Sequence, residues 1–247
     1  MNQVTDQQII EILRKEAVPA LGCTEPVACA LACAKCKEVL GSVPERLDVL
    51  VSGNIYKNGM GVGIPGTGMV GLPIAAALGA VCGKSEYGLE VLKEVNVGDN
   101  LQRAKDMLGQ VTVSLKEDAP DKLYAEALAT KGNDTVKVII AHTHTNIVLV
   151  EKNGEEIFKR EFRLDTSKPE DKGPELSVKR IWDFVHEVDV KDIEFVLQGA
   201  EMNKAISAEG LNSEYGLQIG KTLKENIDKG LLEDDLLNRT LIRATAA

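Results

Sequence analysis

The sequence predicts an α+β protein, a mainly helical domain with an inserted small antiparallel α/β lobe. Three observations carry this. Apolar residues recur with helical spacing up to about residue 108 and alternate from Val111 onwards, and helical spacing returns after a charged connector at Asp165 to Glu175. Lys131-Gly132-Asn133-Asp134 and Asn153-Gly154 have the turn chemistry that joins antiparallel strands. The domain boundaries that follow are 1–109 with 164–247 for a discontinuous helical, catalytic-type domain and 110–163 for the inserted lobe.

In order along the chain, Thr5 and Gln8 have capping-box spacing, so a first helix starts there and runs through Ile9, Ile12 and Leu13 to a stop near Pro19. A second helix spans Thr24 to Leu40 and ends at Gly41, with Thr24 as the expected N-cap. Leu47, Val49 and Val51 alternate with polar residues and read as a strand leading into the polar run Gly53 to Asn58. A glycine-rich loop then opens an apolar helix, Leu72 to Val81, and helical spacing recurs at Leu89 to Val95 and, after an Asp99 cap, at Leu101 to Leu108. Strands are expected at Val111 to Leu115, Leu123 to Ala129, Val136 to His142, Asn146 to Val150 and Ile157 to Phe162. Helices follow through Trp182, Phe195, Leu217, Leu223 and Leu236. The last presents Leu237, Leu241 and Ala244 on one face and stops at Ala247 without a cap, so the polypeptide is expected to be an N-terminal fragment of a longer protein, incomplete at its C-terminus.

Composition narrows the function classes. With 29 basic and 38 acidic residues the net charge is -9, and no basic cluster is interleaved with aromatics, so nucleic acid is not an expected partner. Residues 58–83 carry no charge until Gly83 and are long enough to span a bilayer. Their six glycines between Gly59 and Gly71, with Pro65 and Pro73, would break a lipid-exposed helix, so no membrane partner is expected. The amino terminus has no basic n-region followed by an apolar stretch, and five cysteines without a secretion signal fit free thiols or metal ligands in a reducing cytoplasm.

Chemistry concentrates in a few places. Cys23, directly before a helix start in Leu21-Gly22-Cys23-Thr24-Glu25-Pro26, faces helix N–H groups, which favours a thiolate able to act as nucleophile or metal ligand; an inert loop cysteine is the bland alternative. Cys29, Cys33 and Cys36 share one helix stripe among alanines, which favours packing over ligation. Gly61-Val62-Gly63-Ile64-Pro65-Gly66 formally matches G-x-G-x-x-G, but no buried strand precedes it directly and Pro65 removes an N–H, so a dinucleotide site is a weak reading and a small carboxylate a better ligand. His142 and His144 would share a face if their segment is a strand, where they could hold a metal or act as acid and base; a solvated sheet face is the equal alternative. In Ser52-Gly53-Asn54 with Lys57-Asn58, a buried Lys57 would be a candidate base, and a surface lysine is the commoner case.

Gly22-Cys23-Thr24-Glu25-Pro26-Val27-Ala28, Ser52-Gly53-Asn54 with Lys57-Asn58, Met60 to Thr67, Gly71 to Gly79 and His144-Thr145-Asn146, in this order, resemble the L-cysteine desulfidase family, related to the alpha region of iron–sulfur L-serine dehydratases. The resemblance runs from about residue 5 to the end. It implies an oxygen-sensitive lyase with a [4Fe–4S] cluster, converting L-cysteine to pyruvate, ammonia and sulfide without pyridoxal phosphate. Three cysteines hold the cluster in such enzymes and leave one iron open as a Lewis acid. Cys23 matches the first ligand. The other two belong to a region beyond Ala247, and Cys29, Cys33, Cys36 and Cys82 match none. On this reading Ser52, Asn54, Gly61, Gly63, Gly66 and Thr67 hold the substrate, and Lys57 or His144 serves the proton transfer. The 247-residue chain alone would lack the cluster and be inactive. The partner is a small amino acid, L-cysteine or L-serine, and a homo-oligomer is compatible with the reading. L-Serine dehydration on the same site and a non-catalytic small-molecule-binding domain are the competing functions.

Overall fold

The computed structural model describes residues 4–20, 22–160, 176–214 and 217–246. The chain forms two compact units, residues 1–18 with 169–247 and residues 19–168. The expected connector Asp165 to Glu175 and the end of the expected strand at Glu161 and Phe162 lie outside the described residues.

Helix α1 (Asp6–Glu16) opens the smaller unit. Its capping box is formed, with the Thr5 side chain accepting from the Gln8 N–H and the Gln8 side chain accepting from Thr5 N. The larger unit begins with α2 (Thr24–Leu40), which Gly41 ends in the left-handed conformation. Then come β1 (Arg46–Val51), α3 (Gly53–Gly59), the short hairpin β2 (Gly63–Ile64) and β3 (Met69–Val70), α4 (Leu72–Val81) and α5 (Asn100–Met107). Strands β4 (Val111–Leu115), β5 (Tyr124–Lys131), β6 (Asp134–Ala141), β7 (Ile147–Lys152) and β8 (Glu155–Lys159) complete it.

Six strands form one sheet in the order β4-β1-β5-β6-β7-β8. β1 lies parallel to β4 (Val49 opposite Val113) and antiparallel to β5 (Val49 opposite Ala127). This corrects the expected inserted lobe at 110–163. The inward faces of β5 and β6 (Ala125, Ala127, Ala129, Val136, Val138, Ile140) are fully buried, and a hairpin lobe on its own has nothing to cover them with. α2 does cover them: Cys36 Sγ approaches the carbonyls of Ala127 at 3.5 Å and Val136 at 3.6 Å. The alanines on β5 are the reason a helix can lie so close.

α4 packs on α2 as the second buried helix. A Cβ on Gly79 would stand 2.1 Å from the Ala30 carbonyl oxygen, so the crossing requires glycine. The other sheet face, with Asp48, Glu126, Leu128 and Lys137, is half-buried or exposed, which explains the alternation in these strands. Gly53–Gly59 is helical, because Ser52 caps it by accepting from the Ile55 N–H. The helix expected at Leu89 to Val95 is corrected: Ser85–Glu90 is a 3₁₀ segment kinked at Gly88 (φ +53°), and residues 91–96 continue as tight turns; Asp99, the expected cap, makes no side-chain cap.

The smaller unit continues with α6 (Val178–Glu187), α7 (Val190–Ile193), α8 (Val196–Asn212), α9 (Ile219–Asp228) and α10 (Leu236–Ala246). Val4, Ile9 and Ile10 pack with Phe184. Arg180 donates to the Val4 carbonyl at 2.6 Å and pairs with Asp6, tying α6 to the start of α1. Leu217 lies in the turn before α9. Among the described residues no helix is long and apolar enough to cross a membrane, and the uncharged stretch from Asn58 resolves into the end of α3, the β2–β3 hairpin and buried α4.

Candidate functional site

Three segments of the larger unit meet at the start of α2. Gly22, at φ +82°, turns the chain into the helix, and a Cβ there would stand 3.1 Å from Pro65 Cγ, so the glycine-rich hairpin lies beside this turn. Cys23 itself occupies the N-cap position, and Thr24, the expected cap, is the first helical residue. This frees the Thr24 hydroxyl, which lies 3.2 Å from His144 Nε2. Glu25 joins the third segment: the Cys23 thiol donates to Oε2 at 2.8 Å, and Asn58 on α3 donates to Oε1 at 3.1 Å.

These contacts set the protonation states. Burial raises the Cys23 pKa and its hydrogen bond to Glu25 raises it further, so the resting group is the thiol. The thiolate expected from the helix terminus is overturned, first because burial disfavours the charged form and then because a carboxylate in the first turn takes the thiol proton as a hydrogen bond. Burial pushes Glu25 upward, but the hydrogen bonds from Cys23 and Asn58 outweigh it and hold the carboxyl below its ordinary range. His144 lies below the usual histidine value, chiefly through burial, with Glu25 pulling partly the other way. At neutral pH the site therefore holds a thiol, a carboxylate and a neutral imidazole. Such a set can exchange protons with a small polar molecule.

The other expected site residues fall as follows. His142 and His144 do not share a strand face: β6 ends at Ala141, and His142, at φ +70°, turns its Nδ1 to Asp121 Oδ2 at 2.8 Å. Asp121 also accepts the His142 backbone N–H, which is what stops the strand. Ser52 is buried, and its hydroxyl caps α3 and donates to the Lys122 carbonyl at 2.6 Å. Thr67 is buried and closes the hairpin turn through Ile64 O and Met69 N. Both hydroxyls are engaged within the fold. Asn54 and Lys57 are exposed on α3, and Gly61, Gly63 and Gly66 are exposed along the β2–β3 hairpin. Since that hairpin separates Gly61 from α4, the strand–loop–helix geometry of a dinucleotide site is absent there. Glu25 and Asn58 are the members that the residue-by-residue sequence reading did not assign a role; an acidic residue in a first helical turn beside a cysteine was the available signal.

A three-cysteine iron–sulfur cluster does not fit the described residues of this chain. Cys29, Cys33, Cys36 and Cys82 are buried, the first three wholly inside α2's packing, and burial pushes Cys29 up to about 12. Cys23 alone is half-buried. Among the described residues no group of three or more His, Cys, Asp or Glu side chains is placed to hold a metal ion.

The chain is 47% identical over 247 residues to a "UPF0597 protein" of Dichelobacter nodosus, a match covering 99% of this chain and 57% of that protein. It is 46% identical over 244 residues to a UPF0597 protein of Actinobacillus pleuropneumoniae serotype 3, covering 98% and 56%, and 43% identical over 253 residues to one of Parabacteroides distasonis, covering 100% and 58%. The chain thus spans somewhat over half the length of the curated relatives it matches. No family model matches it, and no solved structure matches it.

Proposed function

We propose that this chain carries part of the active site of a lyase that eliminates the β-substituent of a small amino acid, with L-cysteine as substrate and pyruvate, ammonia and sulfide as products. The observation that carries the reading is the convergence of half-buried Cys23, Glu25 and His144 with exposed Asn58, from three separate segments. The family resemblance of Gly22 to Ala28 and of His144 to Asn146 supports the same assignment, since those two segments meet there.

The reaction is redox-neutral. A base takes the α-proton, the electron pair forms the Cα=Cβ bond, and the C–S bond breaks to release sulfide. The aminoacrylate left behind tautomerises to an imine, and water replaces its nitrogen to give pyruvate and ammonia. His144, neutral at pH 7 and held by Thr24, is the base in this proposal. Lys57 is exposed on α3, so His144 is preferred to it. Glu25 and Asn58 form the polar wall facing the substrate. Cys23 remains a proposed cluster ligand only if two further thiolates come from polypeptide outside this chain, and none of the steps above is assigned to the cluster.

The test is an anaerobic assay of the chain together with the polypeptide that its relatives have in addition. Equal amounts of pyruvate, ammonia and sulfide from L-cysteine support the reading. Pyruvate from L-serine alone would shift the substrate within the same chemistry, and no pyruvate from either amino acid overturns it.

A further inference from the structure

The smaller, helical unit has only a small core of its own among its described residues. Among its described residues the buried apolar side chains are Val4, Ile9, Ile10, Phe184 and Ile242, too few to hold a domain of this length. Its amphipathic helices instead present apolar stripes outward. On α6, Val178, Ile181, Trp182 and Val185 stand at positions i, i+3, i+4 and i+7, and Trp182 is 64% and Val178 85% exposed. Ile206 on α8 is 52% and Leu237 on α10 is 66% exposed.

We infer that these stripes are the open half of a helix–helix core, and that the occupant is the polypeptide that the relatives carry outside the matched stretch. Two observations choose it. The match covers 57% of the Dichelobacter nodosus protein, and what remains is a domain-sized length of chain. The apolar side chains stand out on α6, α8 and α10 alike, which is the pattern of a core lacking its other layer. A second copy of this chain would cover one self-complementary patch about a two-fold axis and leave the rest bare. The occupant is accordingly helical, with apolar residues at helical spacing that pack into the grooves of α6 and α10. The inference does not depend on the lyase reading.

The experiment co-expresses the 247-residue chain with the segment of the Dichelobacter nodosus protein outside the match. The two are expected to co-purify, and hydrogen exchange in α6 and α10 should slow at least tenfold relative to the chain alone. Ile181→Asp with Val185→Asp, both at exposed positions, should abolish co-purification, while Leu128→Asp on the exposed sheet face of the other unit should leave it intact. Trp182, the single tryptophan, reports the chain alone, where a solvent-like emission is expected. A Trp182 already shielded in the monomeric chain, or shielded by concentration-dependent self-association, overturns the inference. So does failure of the wild-type chain to co-purify with the segment, or equal co-purification of the doubly substituted chain. Because none of these readouts is turnover, their failure is distinguishable from failure of the lyase proposal.

Discussion

Thr24 Oγ1 and His144 Nε2 lie 3.2 Å apart although 120 residues separate them in the chain. The contact exists because Cys23, not Thr24, takes the N-cap position, leaving the threonine hydroxyl to face the loop after β6. It fastens the first turn of α2 to the end of the sheet and fixes the imidazole beside Glu25.

If His144 is the base, its loss should act on chemistry more than on folding. His144→Ala in the complete enzyme is expected to lower kcat about 10²- to 10⁴-fold, while the half-exposed hydrogen bond contributes only about 1 kcal/mol to stability. Thr24→Val, which keeps the shape and removes the hydroxyl, should cost about tenfold in kcat by loosening the ring. Steady-state rates and urea melts on the same preparations separate the two effects. Full activity in His144→Ala would eliminate it as the base.

Protonation of His144 should also couple folding to pH. Its folded pKa is depressed, chiefly by burial, so the unfolded chain binds the proton more readily. That contribution to stability is complete above the ordinary histidine value of about 6.5 and is lost as pH falls through the lowered folded value. Glu25, also depressed, contributes in the same sense but at more acid pH, below the ordinary range of a carboxyl. The wild-type minus His144→Gln difference in unfolding free energy should therefore decline between neutral pH and about pH 5. A difference that grows on acidification would contradict the assignment.

Thiol accessibility offers an independent check on the site. Cys23 is half-buried, whereas Cys29, Cys33, Cys36 and Cys82 lie in the core. An alkylating reagent should modify Cys23 alone in the native chain, and slowly, because its proton is held by Glu25. The other four should react only after unfolding. Peptide mass spectrometry after brief labelling resolves the order, and early modification of Cys33 would mean that the α2 stripe opens. Cys33→Ala is expected to cost about 1 to 2 kcal/mol through a small cavity.

Local signals in the sequence were read well where they are self-contained. Thr5 with Gln8 closes a capping box, Gly41 ends α2, and the alternation from Val111 marks real strands. What escaped is set by distant partners. β1 lies between β4 and β5, and neither its period nor its composition says which strands will flank it. The α3 helix hides behind two glycines and two asparagines of poor helix propensity, with only the Ser52 cap as a signal. His142 and His144 look equivalent until Asp121, 21 residues upstream, ends the strand just before them and binds His142 alone. Cys23 was legible as a site, and its thiol state was not, because burial and then Glu25 oppose the helix terminus.

The α2–α4 crossing makes the sharpest prediction about the fold beneath the site. Gly79 has no Cβ, and one added there would meet Ala30 backbone atoms at 2.1 Å (O) and 2.7 Å (Cα), which cannot step aside as a flexible side chain could. Gly79→Ala gains at most about 1 kcal/mol of helix propensity. Against this, the two helices must part, at a cost of about 3 kcal/mol or more. The net effect should be strongly destabilising in urea titrations. Gly199→Ala in α8 is the control, since nothing lies within 4 Å of the added methyl and φ is ordinary; it should stabilise by about 0.5 to 1 kcal/mol. Because α2 carries Cys23, Thr24 and Glu25 at its start, any Gly79→Ala protein that still folds should also show altered Cys23 labelling, whereas Gly199→Ala should not. A Gly79→Ala protein as stable as the wild type would mean that the crossing is looser than a 2.1 Å approach permits.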